Sequence, residues 1–406
     1  MTEMTAMPAP RPVTPPAGLC PGCRASALRL LLETSAPVHT SILLDSREAA
    51  VGYPRGPIRL ELCEACGLIT NTAFDAPGHD YSASYEETQV FSTRFQEYAS
   101  WLATTLSERH DLAGAEVLEI GCGRADFLLR LCETAGCSGI GVDPSFREEH
   151  LAGLASVEAS VRRAFFSEAD VDRTFAMVVC RHTLEHVHDV HGFLTMLRSS
   201  LEATPATPVV FEVPDTGRIL RETAFWDMFY EHVTYFTPGS LARAFRAAGF
   251  EPVTLELGFA DQYVLLTAVP SLEAGAGAVL PHEESAATTS AEADTFIRDL
   301  AATRTRWATT LRERRSRGET SVIWGAGSKG VGFLSTLELS DEIACAVDVN
   351  PAKHGMFMPG TGHEIVAPER LREVRPGLVM VMNPAYMDEI RHDLAQLGVT
   401  AVVEAL

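Results

Sequence analysis

The chain has 406 residues, of which 46% are hydrophobic, and its formal net charge is −21 at pH 7. The length suggests two or three domains, and the strongly negative charge repels phosphate backbones, which argues against a general nucleic-acid binder. No apolar run is long enough to span a membrane and no signal-peptide pattern is present, so we expect a cytoplasmic enzyme with no membrane partner.

Two CxxC pairs predict a metal site near the start of the chain. The four ligands are Cys20, Cys23, Cys63 and Cys66, with a glycine inside the first pair and after the second. Thiolates held in turns favour tetrahedral zinc, and four of them leave no open coordination position, so we expect the zinc to be structural. Reduced cysteines without a metal are the alternative interpretation.

The residues around these cysteines predict a small zinc-binding domain over 18–78. A tail rich in Pro, Thr and Ala precedes it at 1–17 and is expected to be disordered. The two cysteine pairs are separated by more than the usual spacing, which predicts an inserted hairpin built from the strand-like runs 28–32, 41–44 and 58–62.

A strand, a glycine turn and a helix start follow one another within 117–128. The turn carries Glu119, Gly121 and Gly123, and glycine allows the backbone to approach a ligand closely. Asp143 ends the next apolar run, at a position where an acidic side chain suits a ribose diol. The stretch therefore predicts a binding site for an adenosine-bearing cofactor.

Strand-like runs separated by helical patterns predict a mostly parallel α/β sheet in a domain over 79–269. The runs lie at 115–120, 138–142, 161–165, 175–180 and 208–213, with a final hairpin over 252–268. Ligands bind beyond the carboxyl ends of such strands, so the residues just after each strand are the candidate site residues.

Two segments of this domain carry the candidate site histidines. After the run 175–180, His182 and His186 span the HxxEH pattern of zinc peptidases, but that pattern requires a helix and here it begins at a strand end. We interpret it as a loop that brings a histidine to a substrate pocket; a structural histidine is the alternative. Further on, Glu231 precedes His232, and a neighbouring carboxylate can orient an imidazole, which makes His232 a candidate general base.

The last part of the chain predicts a second Rossmann-like domain over 293–406, after a linker at 270–292. A strand leads into the GxGxxG motif Gly325–Gly330, and Asp348 ends the next strand. By pattern alone this motif indicates an NAD-dependent oxidoreductase.

The first glycine turn, Asp143 and the segment 182–187, which reads HTLEHV and is called the HTLEHV segment below, resemble the corresponding motifs of the class I S-adenosylmethionine methyltransferases. The resemblance implies that the turn around Glu119 faces the methionyl part of the cofactor and that Asp143 holds the ribose. It also implies that Phe166 lies near the adenine, with His182 as a further candidate for the cofactor site.

Over residues 18–406 the chain resembles the three-domain C-methyltransferases of bacterial deoxysugar pathways. These have a four-cysteine zinc domain, a methyltransferase domain and a Rossmann-like C-terminal domain. The most specific resemblances are Lys329–Gly330, Asp348–Pro351, Lys353–Gly355 and Pro359–Thr361. The family's C-terminal domain is not known to use a nucleotide cofactor of its own and helps to enclose the substrate, which argues against an oxidoreductase.

Family members use a Tyr-His-Glu-His segment whose last histidine is the base. In this chain the matching residues are Phe229, Tyr230, Glu231 and His232, so the first two positions depart from the pattern. By the same resemblance His186 matches a second active-site histidine, and Tyr85 (less surely Tyr81) matches a substrate-contacting tyrosine.

The resulting hypothesis is C-methylation of a nucleotide-linked keto-deoxysugar through an enolate. His232 takes the proton, Glu231 orients it, and His186 with Tyr230 or Tyr85 holds the enolate oxygen. Lys329 is a candidate contact for a substrate phosphate, with a solvated lysine as the alternative. O- or N-methylation of another natural-product intermediate, an oxidoreductase using Gly325–Gly330 and a non-catalytic binding protein stay open, as does a monomer or a homodimer.

Overall fold

The computed structural model describes residues 18–75, 89–150, 157–271 and 277–406, which form three sheets. The first sheet belongs to the amino-terminal part of the chain, the second and largest to the middle part, and the third to the carboxyl-terminal part. In the described residues no helix is both long and apolar enough to cross a membrane.

The amino-terminal domain is built on an antiparallel sheet. Its elements are β1 (Leu28–Pro37), α1 (Arg47–Val51), β2 (Arg55–Cys63) and β3 (Ile69–Asn71). β1 and β2 form the predicted hairpin, but the predicted strand over 41–44 does not form. Leu44 instead makes an isolated bridge to Phe357 of the carboxyl-terminal domain, so this segment is positioned by contacts across domains rather than by its own hairpin.

The middle domain has a seven-stranded sheet in the order β6-β5-β4-β7-β8-β11-β10. Its strands are β4 (Glu116–Ile120), β5 (Ser138–Val142), β6 (Ala159–Arg162), β7 (Met177–Arg181), β8 (Val209–Pro214), β10 (Phe250–Gly258) and β11 (Tyr263–Pro270). β11 is antiparallel to both neighbours and the other pairs are parallel, as the predicted runs and final hairpin require.

Five described helices flank this sheet: α2 (Thr93–His110), α3 (Asp126–Ala135), α4 (Val190–Ser200), α5 (Thr216–Glu222) and α6 (Pro238–Ala247). α2 begins after Ser92, whose side chain accepts from the Phe95 N–H, and α6 begins with Pro238 in its first turn, as predicted. The short strand β9 (Thr234–Tyr235) leaves this domain and pairs with β3, so it completes the amino-terminal sheet.

The carboxyl-terminal domain has an all-parallel sheet in the order β14-β13-β12-β15-β16. Its elements are α7 (Ala286–Ser316), β12 (Ser321–Trp324), α8 (Ser328–Leu337), β13 (Ala346–Val347), β14 (Ile365–Val366), α9 (Leu371–Val374), β15 (Leu378–Val381), α10 (Met387–Leu397) and β16 (Val402–Ala405). This is the predicted second Rossmann-like sheet.

The predicted linker at 270–292 extends too far. α7 begins at Ala286 and is capped by Ser285. The sequence prediction placed the start later because the first turns of this helix are rich in Ala, Thr and Ser and show no apolar period. Its buried residues include Phe296, Leu300, Trp307 and Leu311, which form the apolar face of the helix.

The three domains share their hydrophobic cores. One cluster joins Leu60 of the amino-terminal sheet, Trp226 of the middle domain and Phe333 of α8. A second cluster joins three of the four CxxC cysteines to the core of the middle domain. The domains are therefore packed against one another, and the space between them is enclosed by all three.

Candidate functional site

The four CxxC cysteines come together as one cluster. Cys20 Sγ lies 3.6 Å from Cys66 Sγ and Cys23 Sγ lies 3.7 Å from Cys63 Sγ, and all four sulfur atoms lie within 4.8 Å of one another. Zinc–sulfur bonds of about 2.3 Å in a tetrahedron require sulfur atoms about 3.8 Å apart. The donor set and the spacing fit the predicted structural zinc.

The predicted cofactor turn lies at the carboxyl end of β4. Gly121 and Gly123 have φ values of +72° and +52°, and a Cβ on Gly121 would lie 2.0 Å from Thr183 Oγ1. The Gly123 N–H donates to Asp143 Oδ2 at 2.8 Å, and Ser145 donates to the other carboxylate oxygen. The turn is therefore held against the HTLEHV segment on one side and against Asp143 on the other.

Glu119 is buried beside this turn at 3% exposure. Its Oε2 atom is buried and has no hydrogen-bond partner among the described residues. Burial raises the pKa of this carboxyl to about 8, although Arg181 opposes the shift. A buried oxygen without a donor fits a site that a polar ligand completes, as the amino group of a methionyl moiety would.

His182 lies at the boundary between the cofactor turn and the adjacent cavity. It directly follows β7, adopts a left-handed φ of +49°, and packs edge-on against Tyr263. Its Nε2 atom lies 2.7 Å from Glu212 Oε1, and Glu212 also accepts from Arg181 at 2.7 Å. Although burial alone raises the pKa of Glu212, Arg181 and His182 hold it at about 2. Its role toward the cofactor stays a prediction.

Phe166 follows β6 and is half-buried. Its ring centroid lies 5.9 Å from that of Phe193 in α4, with the rings edge to face. Its predicted contact with the adenine stays a prediction.

A cavity of about 320 Å³ lies beyond the carboxyl ends of the middle strands, between the three domains. The amino-terminal domain contributes Ser41, and the middle domain contributes the histidine segments. The carboxyl-terminal domain contributes the glycine motif and Lys329. The volume lies in the range that ligand pockets occupy.

His186 and His232 stand together at the wall of this cavity. Their ring centroids are 5.0 Å apart at 88°, and His186 Nδ1 donates to the Glu231 carbonyl oxygen at 3.0 Å. Burial lowers the pKa of His186 to about 4 and that of His232 well below its usual range. Both imidazoles are therefore unprotonated at neutral pH.

Glu185 completes this group. A carboxylate oxygen of Glu185 and a ring nitrogen of each histidine lie within 4.8 Å of one another. Two imidazoles and a carboxylate are also a donor set that holds transition metals.

The HxxEH pattern of 182–186 does not lie in a helix. His182 follows a strand and Leu184–His186 form a single 3-10 turn, so the helix that a metallopeptidase requires is absent from this described segment, as expected.

The Glu231 carboxylate is held from the amino-terminal domain. Its Oε2 accepts from the Thr40 N–H at 3.0 Å and from the Thr40 hydroxyl at 2.5 Å. The side chain is thereby turned to Thr40, and the carboxylate grouped with the His232 ring is that of Glu185. The orientation of His232 by Glu231 stays a prediction. The contact of Glu231 with His186 is made by the Glu231 main-chain carbonyl and not by its carboxylate.

Tyr230 occupies a different place from the one predicted. Its ring packs on Gly56, where a Cβ would lie 2.3 Å from the ring, and on Phe74. Its hydroxyl accepts from the Asp75 N–H at 3.0 Å, and the cavity wall in the described residues does not include it. The neighbours Phe229 and Glu231 face the cavity, so Tyr230 points to the amino-terminal sheet and does not hold an enolate oxygen there. Tyr85 and Tyr81 lie outside the described residues.

Lys329 lines the cavity and links two domains. Its Nζ donates to Asp227 Oδ2 at 2.8 Å and to Gln262 Oε1 at 3.0 Å, both in the middle domain. Burial lowers the pKa of Lys329, partly offset by Asp227, and Arg218 pairs with the same carboxylate. Its contact with a substrate phosphate stays a prediction.

The second glycine motif faces this same cavity. Asp348, which would hold a ribose in a dinucleotide site, instead accepts from Lys353 Nζ at 3.0 Å and from the Ala326 N–H at 3.0 Å. The carboxylate is already paired with a buried lysine, so this geometry does not favour a dinucleotide at Gly325–Gly330.

Sequence reasoning missed several cavity residues: Thr40 beside the wall, and Glu185, Asp227, Gln262 and Ser328 on it. Glu185 carried a signal, since it lies within the post-strand HTLEHV segment. The others carried none, because each is an ordinary polar residue whose position depends on contacts between domains.

Two family models match the chain. The model described as "Methyltransferase domain" matches residues 90–255, and the model described as "C-methyltransferase C-terminal domain" matches residues 271–402. These matches show a methyltransferase domain followed by a C-methyltransferase C-terminal domain, in agreement with the strand order and the glycine turn.

A full-length comparison with one C-methyltransferase supports the same assignment. The C-methyltransferase NovU of Streptomyces niveus is 25% identical over 381 residues, which cover 88% of this chain and 87% of that protein. The findings confirm the predicted S-adenosylmethionine-dependent C-methyltransferase, and with it an enzyme that acts on a small molecule.

Among solved structures, the dimethyltransferase RosA of Streptomyces davawensis is 21% identical, covering 43% of this chain and 54% of that chain with a TM-score of 0.36. The 1,6-didemethyltoxoflavin-N1-methyltransferase of Burkholderia thailandensis is 18% identical, covering 48% and 98% with a TM-score of 0.33.

Proposed function

We propose that the enzyme methylates the carbon beside the ketone of a nucleotide-linked keto-deoxysugar. The observation that carries this proposal is the pair of imidazoles, His186 and His232, whose ring centroids lie 5.0 Å apart at the wall of a cavity between the three domains. Carbon becomes nucleophilic as an enolate, so this reaction needs a base, whereas methylation of oxygen or nitrogen needs less of this machinery.

Bound S-adenosylmethionine supplies an electrophilic methyl group. His232 accepts the proton from the substrate carbon, and the carbon–hydrogen electron pair becomes the enolate that attacks the methyl carbon. Glu119, the turn through Gly121 and Gly123, and Asp143 would hold the cofactor, whose carbon–sulfur bond would break to release S-adenosylhomocysteine. The three domains exclude water and hold the two reactants in line, which supplies much of the rate.

The cavity wall formed by the carboxyl-terminal domain supports the proposal that the substrate carries a nucleotide. The N-terminus of α8 opens on the cavity through Gly327 and Ser328 and has no side-chain cap. Backbone N–H groups at such a terminus favour phosphate oxygens. Lys329 lies in the same turn, and displacement of its Nζ from Asp227 would bring it to a phosphate.

The substrate is tested with methyl-labelled S-adenosylmethionine and a panel of nucleotide keto-deoxysugars. We expect a product whose methyl carbon resonance reports attachment to carbon. A label on oxygen or nitrogen, or no product from any keto-sugar, would contradict the proposal. S-adenosylhomocysteine should raise the melting temperature, and NADH should leave it unchanged.

The base is tested with His232→Asn. Positioned acid–base catalysis is worth on the order of 10² to 10⁴ in rate, so turnover should fall by about that factor while S-adenosylhomocysteine affinity persists. Exchange of the substrate proton in deuterated water should fall in parallel, because it reports the base step without methyl transfer. Nearly unchanged exchange would remove His232 from this role.

A further inference from the structure

One side chain of the amino-terminal domain lies where the three domains meet. Thr40 contacts Glu231 of the middle domain, as described, and its Oγ1 lies 2.8 Å from the Ser328 hydroxyl at the start of α8. A hydroxyl has one proton, and the shorter contact is to the carboxylate. The single Thr40 proton is therefore directed to Glu231, and the Ser328 hydroxyl is a second neighbour of the same Thr40 oxygen.

Two of the three residues of this junction are buried. Thr40 and Glu231 are each 2% exposed. Buried carboxylates depend on the donors that surround them, and Thr40 provides two donors to a single oxygen. The position of the Glu231 side chain is thus linked to the position of the segment that follows β1.

The Glu231 main chain in turn controls both histidines. Its carbonyl oxygen accepts from His186 Nδ1, which fixes the His186 tautomer with the lone pair on Nε2. Its peptide bond leads directly into His232. A shift of Glu231 therefore moves the backbone next to His232, and it also moves the hydrogen-bond acceptor of His186.

We propose that Thr40 is a positioning residue for the base step, through which the amino-terminal domain takes part in catalysis. It holds Glu231 so that His186 and His232 face the substrate, and its contact with Ser328 completes this arrangement when the carboxyl-terminal domain is docked. This inference rests on the base-assisted transfer proposed above and deepens it, because it assigns a role to a residue outside the methyltransferase domain.

The experiment compares Thr40→Val, which removes the hydroxyl at nearly constant volume, with Thr40→Ser, which retains it. Turnover and deuterium exchange of the substrate proton should both fall about 10-fold or more in Thr40→Val, since hydrogen bonds to charged groups are worth that much. Thr40→Ser should stay within about threefold of the native protein, as expected where one hydroxyl replaces another.

S-adenosylhomocysteine affinity measured by calorimetry should be unchanged in both variants. Thr34→Val is the matched control, because Thr34 is exposed on β1 and its substitution should change none of these quantities. Ser328→Ala provides an independent test of the contact with the carboxyl-terminal domain, with a smaller loss of exchange expected.

Native turnover and exchange in Thr40→Val would overturn this inference, as would an equal loss of cofactor affinity and turnover, which would assign Thr40 to folding alone. Failure of the native enzyme to exchange or methylate any keto-sugar would overturn the proposed function instead. The native protein and the variant therefore separate the two proposals.

Discussion

Two buried carboxylates of the middle domain differ in pKa because they differ in neighbours. Glu212 is surrounded by Arg181, His182 and Tyr98, and its pKa is about 2. Glu119 has an oxygen without a donor, and burial raises its pKa to about 8. A protonated Glu119 in the cofactor-free enzyme becomes a carboxylate when a cationic group binds beside it, so we expect proton release on cofactor binding below about pH 8.

Glu119→Gln tests this arrangement. A folded-state pKa raised from 4.5 to about 8 favours the folded state at low pH, and that contribution is lost as the pH rises between these values. Removing the ionisable group should therefore raise the melting temperature of the cofactor-free enzyme at pH 8 more than at pH 5. The same change should weaken S-adenosylhomocysteine binding.

Glu116→Gln, at the start of the same strand, is the control. Glu116 is partly exposed and pairs with Arg173 at 3.6 Å, so its removal should have little effect at either pH. Thermal unfolding at the two pH values measures both variants. A Glu119→Gln protein whose melting temperature shifts equally at pH 5 and pH 8 would contradict the predicted linkage.

At the scale of elements, the cofactor site is a turn held by two neighbouring segments. The strand β4 ends at Ile120, the turn bends through Gly121 and Gly123, and α3 begins at Asp126. Ala125 adopts a φ of +65°, a conformation that costs an L-residue about 1–2 kcal/mol. Glycine would adopt this conformation at position 125 without that cost.

Gly121→Ala should disrupt this turn through a clash rather than through backbone strain alone. The added Cβ would lie 2.0 Å from Thr183 Oγ1, which forces the HTLEHV segment away from the turn. We expect at least about a 10-fold loss of S-adenosylhomocysteine affinity, equivalent to 1.4 kcal/mol or more. Isothermal titration calorimetry of S-adenosylhomocysteine binding to the native protein and the variant measures this loss of affinity.

Gly114→Ala separates the two effects. Gly114 has a φ of +70°, almost the same as Gly121, but a Cβ there meets no atom within 4 Å. Both variants should lose about 1–2 kcal/mol of stability from the left-handed conformation. Comparable cofactor affinity in the two variants would show that the contact with Thr183 is unimportant.

At the scale of the molecule, the zinc site belongs to the same structure as the catalytic segment. Cys66 precedes β3, and β3 pairs with β9, which lies two residues after His232. Arg243 of α6 donates to the Cys66 carbonyl oxygen at 2.8 Å. The four-cysteine cluster thus holds one edge of the segment that carries the proposed base, His232.

Cys63→Ser should therefore affect more than the amino-terminal domain. Loss of a thiolate ligand should reduce zinc content, lower the melting temperature of the whole chain and reduce turnover, because β3 no longer fixes the segment after His232. Cys345→Ala, directly before β13, should retain zinc. Mass spectrometry of the metal, thermal unfolding and turnover check this, and full turnover without zinc would contradict it.

Much of the fold follows from local patterns. The runs that became β4, β5, β7 and β8 are short apolar segments separated by helical patterns, which is the pattern that predicts a parallel α/β sheet. The CxxC turns likewise specify their own cluster, because short spacings place two thiolates together before any tertiary contact forms. Glu119, Gly121 and Asp143 could be identified on the same grounds, from their places at strand ends.

Only the tertiary structure decided how the substrate cavity is lined. Thr40 reaches Glu231 across 191 positions of sequence, and Lys329 reaches Asp227 across 102. Tyr230 turns from the cavity to Gly56, although it lies between two residues that face it. Strand and turn patterns depend on neighbouring residues and can be found in the sequence, whereas these side chains are placed by the packing of three domains, which no local spacing specifies.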